Sequence, residues 1–190
     1  MQICFTTNNQ HKLQEVKAML GDSIKLLSLS DIGFEGEIPE THETLEENSL
    51  EKARYIFDRF GTAIFSDDSG LEVDVLNGRP GVHTAHYSGS RHAVDNMTKV
   101  LNEMGDTSNR AARFRTVMTY ISSQGEVHQF QGIVEGTIAA KIAGSDGFGY
   151  DPIFIPNGYN KTFAELPAEV KNSISHRKRA LDKLIQFLNQ

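Results

Sequence analysis

Residues 111–139 read AARFRTVMTYISSQGEVHQFQGIVEGTIA. The spacing predicts two long strands, 111–122 and 126–139, and Gln124-Gly125 supplies the turn of a hairpin. Moving outward toward the N-terminus, the period changes. Val94, Met97, Leu101 and Met104 recur at helical spacing, and Asn77-Gly78-Arg79-Pro80-Gly81 before them marks a turn. Leu71 to Leu76 reads as extended. Thr62-Ala63-Ile64-Phe65-Ser66 is strand-like and is expected to end at Asp67-Asp68-Ser69-Gly70. From Thr44 to Phe60 a helix carries Leu45, Ala53, Ile56, Phe57 and Phe60 on one side. Residues 2–6 form a short buried strand, Thr7-Asn8-Asn9-Gln10 a polar loop, and Leu13, Val16 and Leu20 a helix face; residues 24–29 suit a second short strand. Past the hairpin, the glycine-rich run Gly144 to Gly149 leads to Asp151-Pro152 and a short strand. Ala180, Leu181, Leu184, Ile185 and Leu188 mark a closing amphipathic helix. Strand–helix units combined with a long hairpin point to the α/β class with a mixed sheet. No repeat or linker interrupts the chain, so residues 1–190 are expected to form a single domain, long enough to bury its own core.

Composition narrows the function classes. The net charge of −6 is a poor match for a nucleic-acid backbone, so no nucleic-acid partner is expected, and a phosphate-bearing ligand needs a local basic patch or a metal. No run approaches the ~18 apolar residues of a membrane span. Cys4 is the only cysteine, which excludes an intrachain disulfide and suits a reducing compartment. Met1-Gln2-Ile3-Cys4-Phe5 passes directly into strand-like sequence without a basic, apolar leader. The expectation is a cytoplasmic protein.

Five segments concentrate chemistry, and each has a plain alternative. Thr7, Asn8, Asn9, Gln10, His11 and Lys12 open a helix, whose N–H groups and positive dipole end suit phosphates; the same residues are equally a capped helix with Asn8 or Asn9 as N-cap. Asp67-Asp68-Ser69-Gly70 places two carboxylates side by side, which repel unless a cation compensates them; Mg²⁺ would do so with few protein ligands, and a solvated turn would need none. The stretch Glu40 to Asn48 supplies a second carboxylate for such a cation, though spacing does not choose which, and acidic residues also favour a helix N-terminus for the dipole alone. Lys52 follows in the same helix. Gly147-Phe148-Gly149-Tyr150-Asp151-Pro152 leaves an aromatic ring free to stack on a flat ligand, or is a tight loop with Phe148 in the core. Lys171-Asn172-Ser173-Ile174-Ser175-His176-Arg177 gathers donors suited to keto oxygens, or is a basic helix start.

Taken together and in this order, the segments resemble the inosine triphosphate pyrophosphatase family over essentially the whole chain. The markers are Thr7-Asn8-Asn9 with Lys12, Glu47-Asn48 with Lys52-Ala53, Asp67-Asp68-Ser69-Gly70-Leu71 and Gly78-Arg79-Pro80-Gly81-Val82. Gly147 to Pro152, Lys161-Thr162-Phe163-Ala164-Glu165-Leu166 and Ser175-His176-Arg177 complete them. Asn8 stands where a glycine is common, and His86 where an arginine is common. The resemblance implies an elongated mixed α/β sheet flanked by helices, with two lobes and a central cleft. It also implies Mg²⁺-dependent hydrolysis of ITP, dITP and XTP to monophosphate and pyrophosphate by a homodimer. Carried over by position, it implies Thr7 to Lys12 as the phosphate loop and Asp68 as the catalytic carboxylate, also near the metal. Glu40 becomes a metal-linked carboxylate and Lys52 a lysine near the phosphates. Ser69, Phe148, Gly149, Tyr150, Asp151, Lys171, His176 and Arg177 become substrate contacts. A non-catalytic nucleotide sensor is the competing class. It would keep a phosphate loop and base contacts without needing paired carboxylates beside a lysine.

Overall fold

The computed structural model describes residues 2–20 and 24–190; the part of the N-terminal reading that rests on Met1 lies outside them. The elements run β1 (Gln2–Phe5), α1 (Gln10–Met19), β2 (Lys25–Leu27), α2 (Leu45–Phe60), β3 (Ile64–Val73), α3 (Ala93–Met104), β4 (Ala111–Ile121), β5 (Val127–Ile138), β6 (Phe154–Pro156), α4 (Ala168–Ile174) and α5 (His176–Leu188). The six strands form one sheet in the order β2-β1-β3-β4-β5-β6. β1 pairs in parallel with both β2 and β3, while β6 pairs antiparallel with β5. The mixed α/β class expected from the sequence is the observed one. The hairpin closes where Gly125 N–H donates to Ser122 O and Ser122 N–H to Glu126 O.

Two compact units divide the chain. The first comprises Met1–Asp68, Thr116–Gly132 and Arg177–Gln190; the second comprises Ser69–Arg115 and Ile133–His176. β3 therefore belongs to the first unit up to Asp68 and to the second from Ser69.

In the first unit the sheet has helices on both faces, and strand alternation decides which side chain meets which helix. Ile3, Phe5, Phe65, Met118 and Tyr120 pack with Leu13 and Val16 of α1 and with Ala180, Leu181 and Leu184 of α5. Cys4, Ile64 and Ile121 point the other way and pack with Ala53 and Ile56 of α2. Burial pushes the Cys4 thiol up to about 12, so it is an unreactive core residue. α2 starts at Thr44, whose hydroxyl accepts from Glu47 N–H, and stops at Gly61 in the left-handed conformation.

The second unit has its own core. Leu71 and Val73 of β3, Ala112 and Phe114 of β4, Val134 and Ile138 of β5 and Phe154 of β6 pack with Met97, Val100 and Met104 of α3, together with Tyr150 and Phe163.

Two boundaries differ from the sequence reading by more than one residue. β3 does not end at Ser66 but runs through Asp67-Asp68-Ser69-Gly70 to Val73, and only Asp74–Leu76 leaves it as a 3-10 turn. Gly70 lets the strand continue under a close backbone crossing: a Cβ there would lie 2.5 Å from Gly81 O. Leu71 N–H then donates to Thr84 Oγ1 and the isolated bridge Glu72–Pro80 follows. β2 is also shorter than expected, three residues instead of six.

Candidate active site

Continuing the alternation along β3 places the charges. Ser66 meets Ser49 of α2, Asp67 meets Lys12 of α1 and Arg177 of α5, and Asp68 meets Lys52 of α2. The two neighbouring carboxylates thus face opposite sides of one strand, each against a different set of cations.

Asp67 is fully buried. Lys12 Nζ donates to its Oδ1 at 2.9 Å and Arg177 Nε to its Oδ2 at 3.2 Å. Burial on its own would raise the Asp67 proton affinity. The charges of Lys12, Arg177 and Lys52 outweigh it and hold the carboxyl far below the usual carboxylate range.

Asp68 ends differently. Lys52 Nζ donates to its Oδ1 at 3.1 Å, but that lysine is shared with Glu40. Burial is the largest influence on Asp68, Lys52 and Lys12 offset it only in part, and Glu40 adds to it, so its proton affinity lies above the ordinary value. For Lys52 burial favours the neutral amine, but Asp68 and Glu40 more than offset it and keep the ammonium charged.

The buried stripe of α2 explains how Lys52 arrives there. Leu45, Ala53 and Ile56 are its apolar members, and Asn48, Ser49 and Lys52 continue it with polar ones. Ser49 Oγ lies 3.0 Å from Ser66 Oγ, and Thr119 Oγ1 donates to Ser49 Oγ at 2.9 Å, which fixes α2 against β3 and β4. Asn48 bonds both N–H and C=O of His42, while Thr41 donates twice to Glu51. These bonds tie residues 41–42 along α2 and set Glu40 over Lys52.

The loop opening α1 is built as an N-cap. Asn9 Oδ1 accepts from His11 N–H and Lys12 N–H, and Thr7 Oγ1 accepts from Asn9 N–H. Thr7 is half-buried, whereas Asn8 to His11 are exposed. Asn8 Nδ2 donates to Gly36 O at 2.9 Å. Lys12 turns back from this loop to Asp67.

A second cluster lies within the second unit. Asp151 Oδ2 accepts from Phe148 N–H at 2.8 Å and from Lys171 Nζ at 2.5 Å, and the ammonium sits 4.8 Å from the Phe148 ring centroid. Gly147 has to be glycine: its φ is +74°, and a Cβ would come within 2.2 Å of Asp151 Oδ2. Tyr150 turns into the core and donates its OH to Thr84 O. His176 stacks on Phe114, with ring centroids 4.7 Å apart. Gly149 lies beside Phe148, and Ser69 opens this unit at mid-strand.

Of the residues singled out in the sequence, the first unit brings together Lys12, Glu40, Lys52, Asp68 and Arg177, and the second brings together Phe148, Asp151 and Lys171. Arg177 is 1% exposed and its guanidinium binds Asp67 and Glu15. Glu15 and Ser49 escaped the sequence reading. Their signal was present: each is a polar residue adjoining the buried positions of an amphipathic helix.

The Ham1 family model matches residues 3–187. A dITP/XTP pyrophosphatase of Flavobacterium johnsoniae is 47% identical over 189 residues, 99% of this chain and 98% of that protein. Its namesake in Flavobacterium psychrophilum is 49% identical over 188 residues, 98% of each. The solved structure of the Staphylococcus aureus Ham1 protein superposes with a TM-score of 0.90 at 37% identity, covering 100% of this chain and 98% of that one. Sequence and fold agree over nearly their whole length: this chain belongs to the Ham1 family.

Proposed function

We propose that this protein hydrolyses non-canonical purine nucleoside triphosphates, ITP, dITP and XTP, to the monophosphate and pyrophosphate. The names of its relatives support the substrate class. The observation that carries the chemistry is the placement of Asp67 and Asp68, adjacent carboxylates of which one is bonded to Lys12 and the buried Arg177 and the other to a single lysine shared with Glu40. Such a pair divides the labour: one group stays a fixed charge and the other exchanges a proton. Asp68, with raised proton affinity and one shared lysine, takes the proton of the attacking water. Lys52 stays charged beside it and offers positive charge to the phosphates. Asp67 organises Lys12 and Arg177.

The donor set around Asp68 fits Mg²⁺. Glu40 and Asp68 are two carboxylates sharing a single ammonium, which leaves net negative charge and hard oxygen donors. These two residues would hold the ion, which when bound supplies charge neutralisation for the triphosphate. In the second unit Phe148 offers its ring to the purine, with its backbone held by Asp151. The lone buried thiol fits a cytoplasmic enzyme, and a homodimer is the proposed assembly.

The deciding experiment is chromatography of an ITP digest with Mg²⁺ present. IMP and pyrophosphate are expected; IDP with free phosphate would reject the reaction. A panel of ITP, XTP, GTP and ATP reads base preference in the same assay. Phe148→Ala should lower kcat/KM for ITP and ATP alike, by about 5–150-fold, because base–aromatic stacking is worth ~1–3 kcal/mol and every base has a π-face. A loss confined to ITP would reassign the ring. Light scattering should give a mass twice the 21.1 kDa of one chain; a monomer at micromolar concentration would contradict the dimer.

A further inference from the structure

No role in the proposed hydrolysis falls to His83 or His86. Both are exposed on the 3-10 turn Gly81–His86 of the second unit. A 3-10 turn has three residues per turn, so side chains three apart eclipse one another. The two imidazoles accordingly meet edge to face, with ring centroids 5.7 Å apart. Two imidazoles bound to one ion through ~2.1 Å bonds hold their centroids about 4.5–5.5 Å apart. Small rotations of two exposed side chains close that difference without moving the backbone. Backbone bonds hold both ends of the pair: His83 N–H donates to Pro80 O, and His86 O accepts from Gly89 N–H. Between the two rings in the chain stands Thr84, which is half-buried. Its Oγ1 accepts from Leu71 N–H of β3 and donates to Gly81 O, and its carbonyl accepts from Tyr150 OH. The turn that carries the histidines is thus tied to β3 and to the loop holding Phe148.

We propose that His83 and His86 form a binding site for a divalent transition-metal ion of the Zn²⁺ class, and that the ion braces this turn against β3 and the Tyr150 loop. Imidazole nitrogen suits Zn²⁺, Ni²⁺ and Cu²⁺, whereas Mg²⁺ takes oxygen donors, so the pair selects a different ion from Glu40 and Asp68. Among the described residues no group of three or more His, Cys, Asp or Glu gathers around one point. The pair therefore supplies two ligands and solvent the rest, which makes an open, exchangeable site rather than a closed structural one. Bridging the rings fixes the backbone on both sides of Thr84, and any ion that binds the folded turn better than the unfolded chain stabilises the fold.

The test is calorimetric titration of the chelator-treated protein with Zn²⁺ in the presence of saturating Mg²⁺, which keeps the oxygen sites occupied. His83→Ala and His86→Ala should each weaken Zn²⁺ binding at least tenfold, because losing even a group that only orients a ligand costs about 10–100-fold. Both side chains are exposed, so neither change disturbs the core. His92→Ala, which removes another exposed histidine nearby in the chain, should bind Zn²⁺ as the wild type does. Zn²⁺ should raise the urea midpoint of the wild type and leave that of the double variant His83→Ala/His86→Ala where it was. It should also slow hydrogen exchange of the Leu71 amide, whose acceptor is Thr84 Oγ1. Wild-type Zn²⁺ affinity in either single variant overturns the site, as does an equal loss in His92→Ala. Zn²⁺ that binds through the two histidines but leaves the midpoint and the Leu71 amide unchanged overturns the bracing.

Discussion

Asp68→Asn is expected to reduce kcat for ITP by about 10²–10⁴-fold, the range that a positioned general base contributes. The substitution is nearly isosteric, and its backbone sits inside β3, so the strand has no reason to move. What changes is the chemistry of the carboxylate. An amide neither accepts the water's proton nor balances Lys52, whose ammonium would face Glu40 alone. Circular dichroism should therefore be unchanged while turnover collapses. Near-normal kcat in a folded variant at saturating Mg²⁺ would reassign the base. The neighbouring Asp67→Asn should behave differently. It leaves Lys12 and the buried Arg177 without their shared carboxylate, and loss of stability of about 3–5 kcal/mol should accompany any loss of rate.

The contrast between these two aspartates also shows what local sequence can and cannot convey. The hairpin of β4 and β5 and the amphipathic character of α2, α3 and α5 follow from period alone, although Phe60 of α2 and Val94 of α3, expected on the apolar faces, are exposed. β3 was harder. Asp-Asp-Ser-Gly is good turn chemistry, and a strand that continues through two buried carboxylates makes sense only once Lys12, Lys52 and Arg177 are known to meet them. Those cations come from three helices, one of them 110 residues away in the chain. The choice of Glu40 among the acidic residues before α2 is equally non-local. It is made by Asn48 and Glu51, which bind residues 41–42 from the helix side. The pairing of Glu15 was hidden for the same reason: its partner Arg177 lies 162 residues on. Chemistry-bearing residue types were legible; the pairing of each charge was not, because pairing is a property of the packed sheet and helices.

The same logic gives a large effect in the second unit, at Lys171. Its ammonium and Asp151 are both nearly inaccessible, and Asp151 Oδ2 serves Lys171 and the Phe148 N–H together. Lys171→Met removes the cation and strands the carboxylate, so stability should fall by about 3–5 kcal/mol, read as a lower midpoint in urea. Adding Asp151→Leu removes the stranded charge. Replacing a buried ion pair by apolar side chains is often neutral or stabilising, so the double variant should regain most of that loss, short of the ~1–3 kcal/mol for a Phe148 N–H left without its acceptor. Activity should not return with stability. Phe148 would keep its place in the chain but lose the backbone anchor and the cation over its ring, so kcat/KM for ITP should stay depressed, by up to the roughly 150-fold that stacking is worth. A double variant that is both stable and fully active would show that the Asp151–Lys171 pair serves the fold alone. A single variant of wild-type stability would show that the pair contributes nothing to the fold. The expected result, a stable protein with a slack base contact, assigns the pair to holding Phe148 in the position the purine requires.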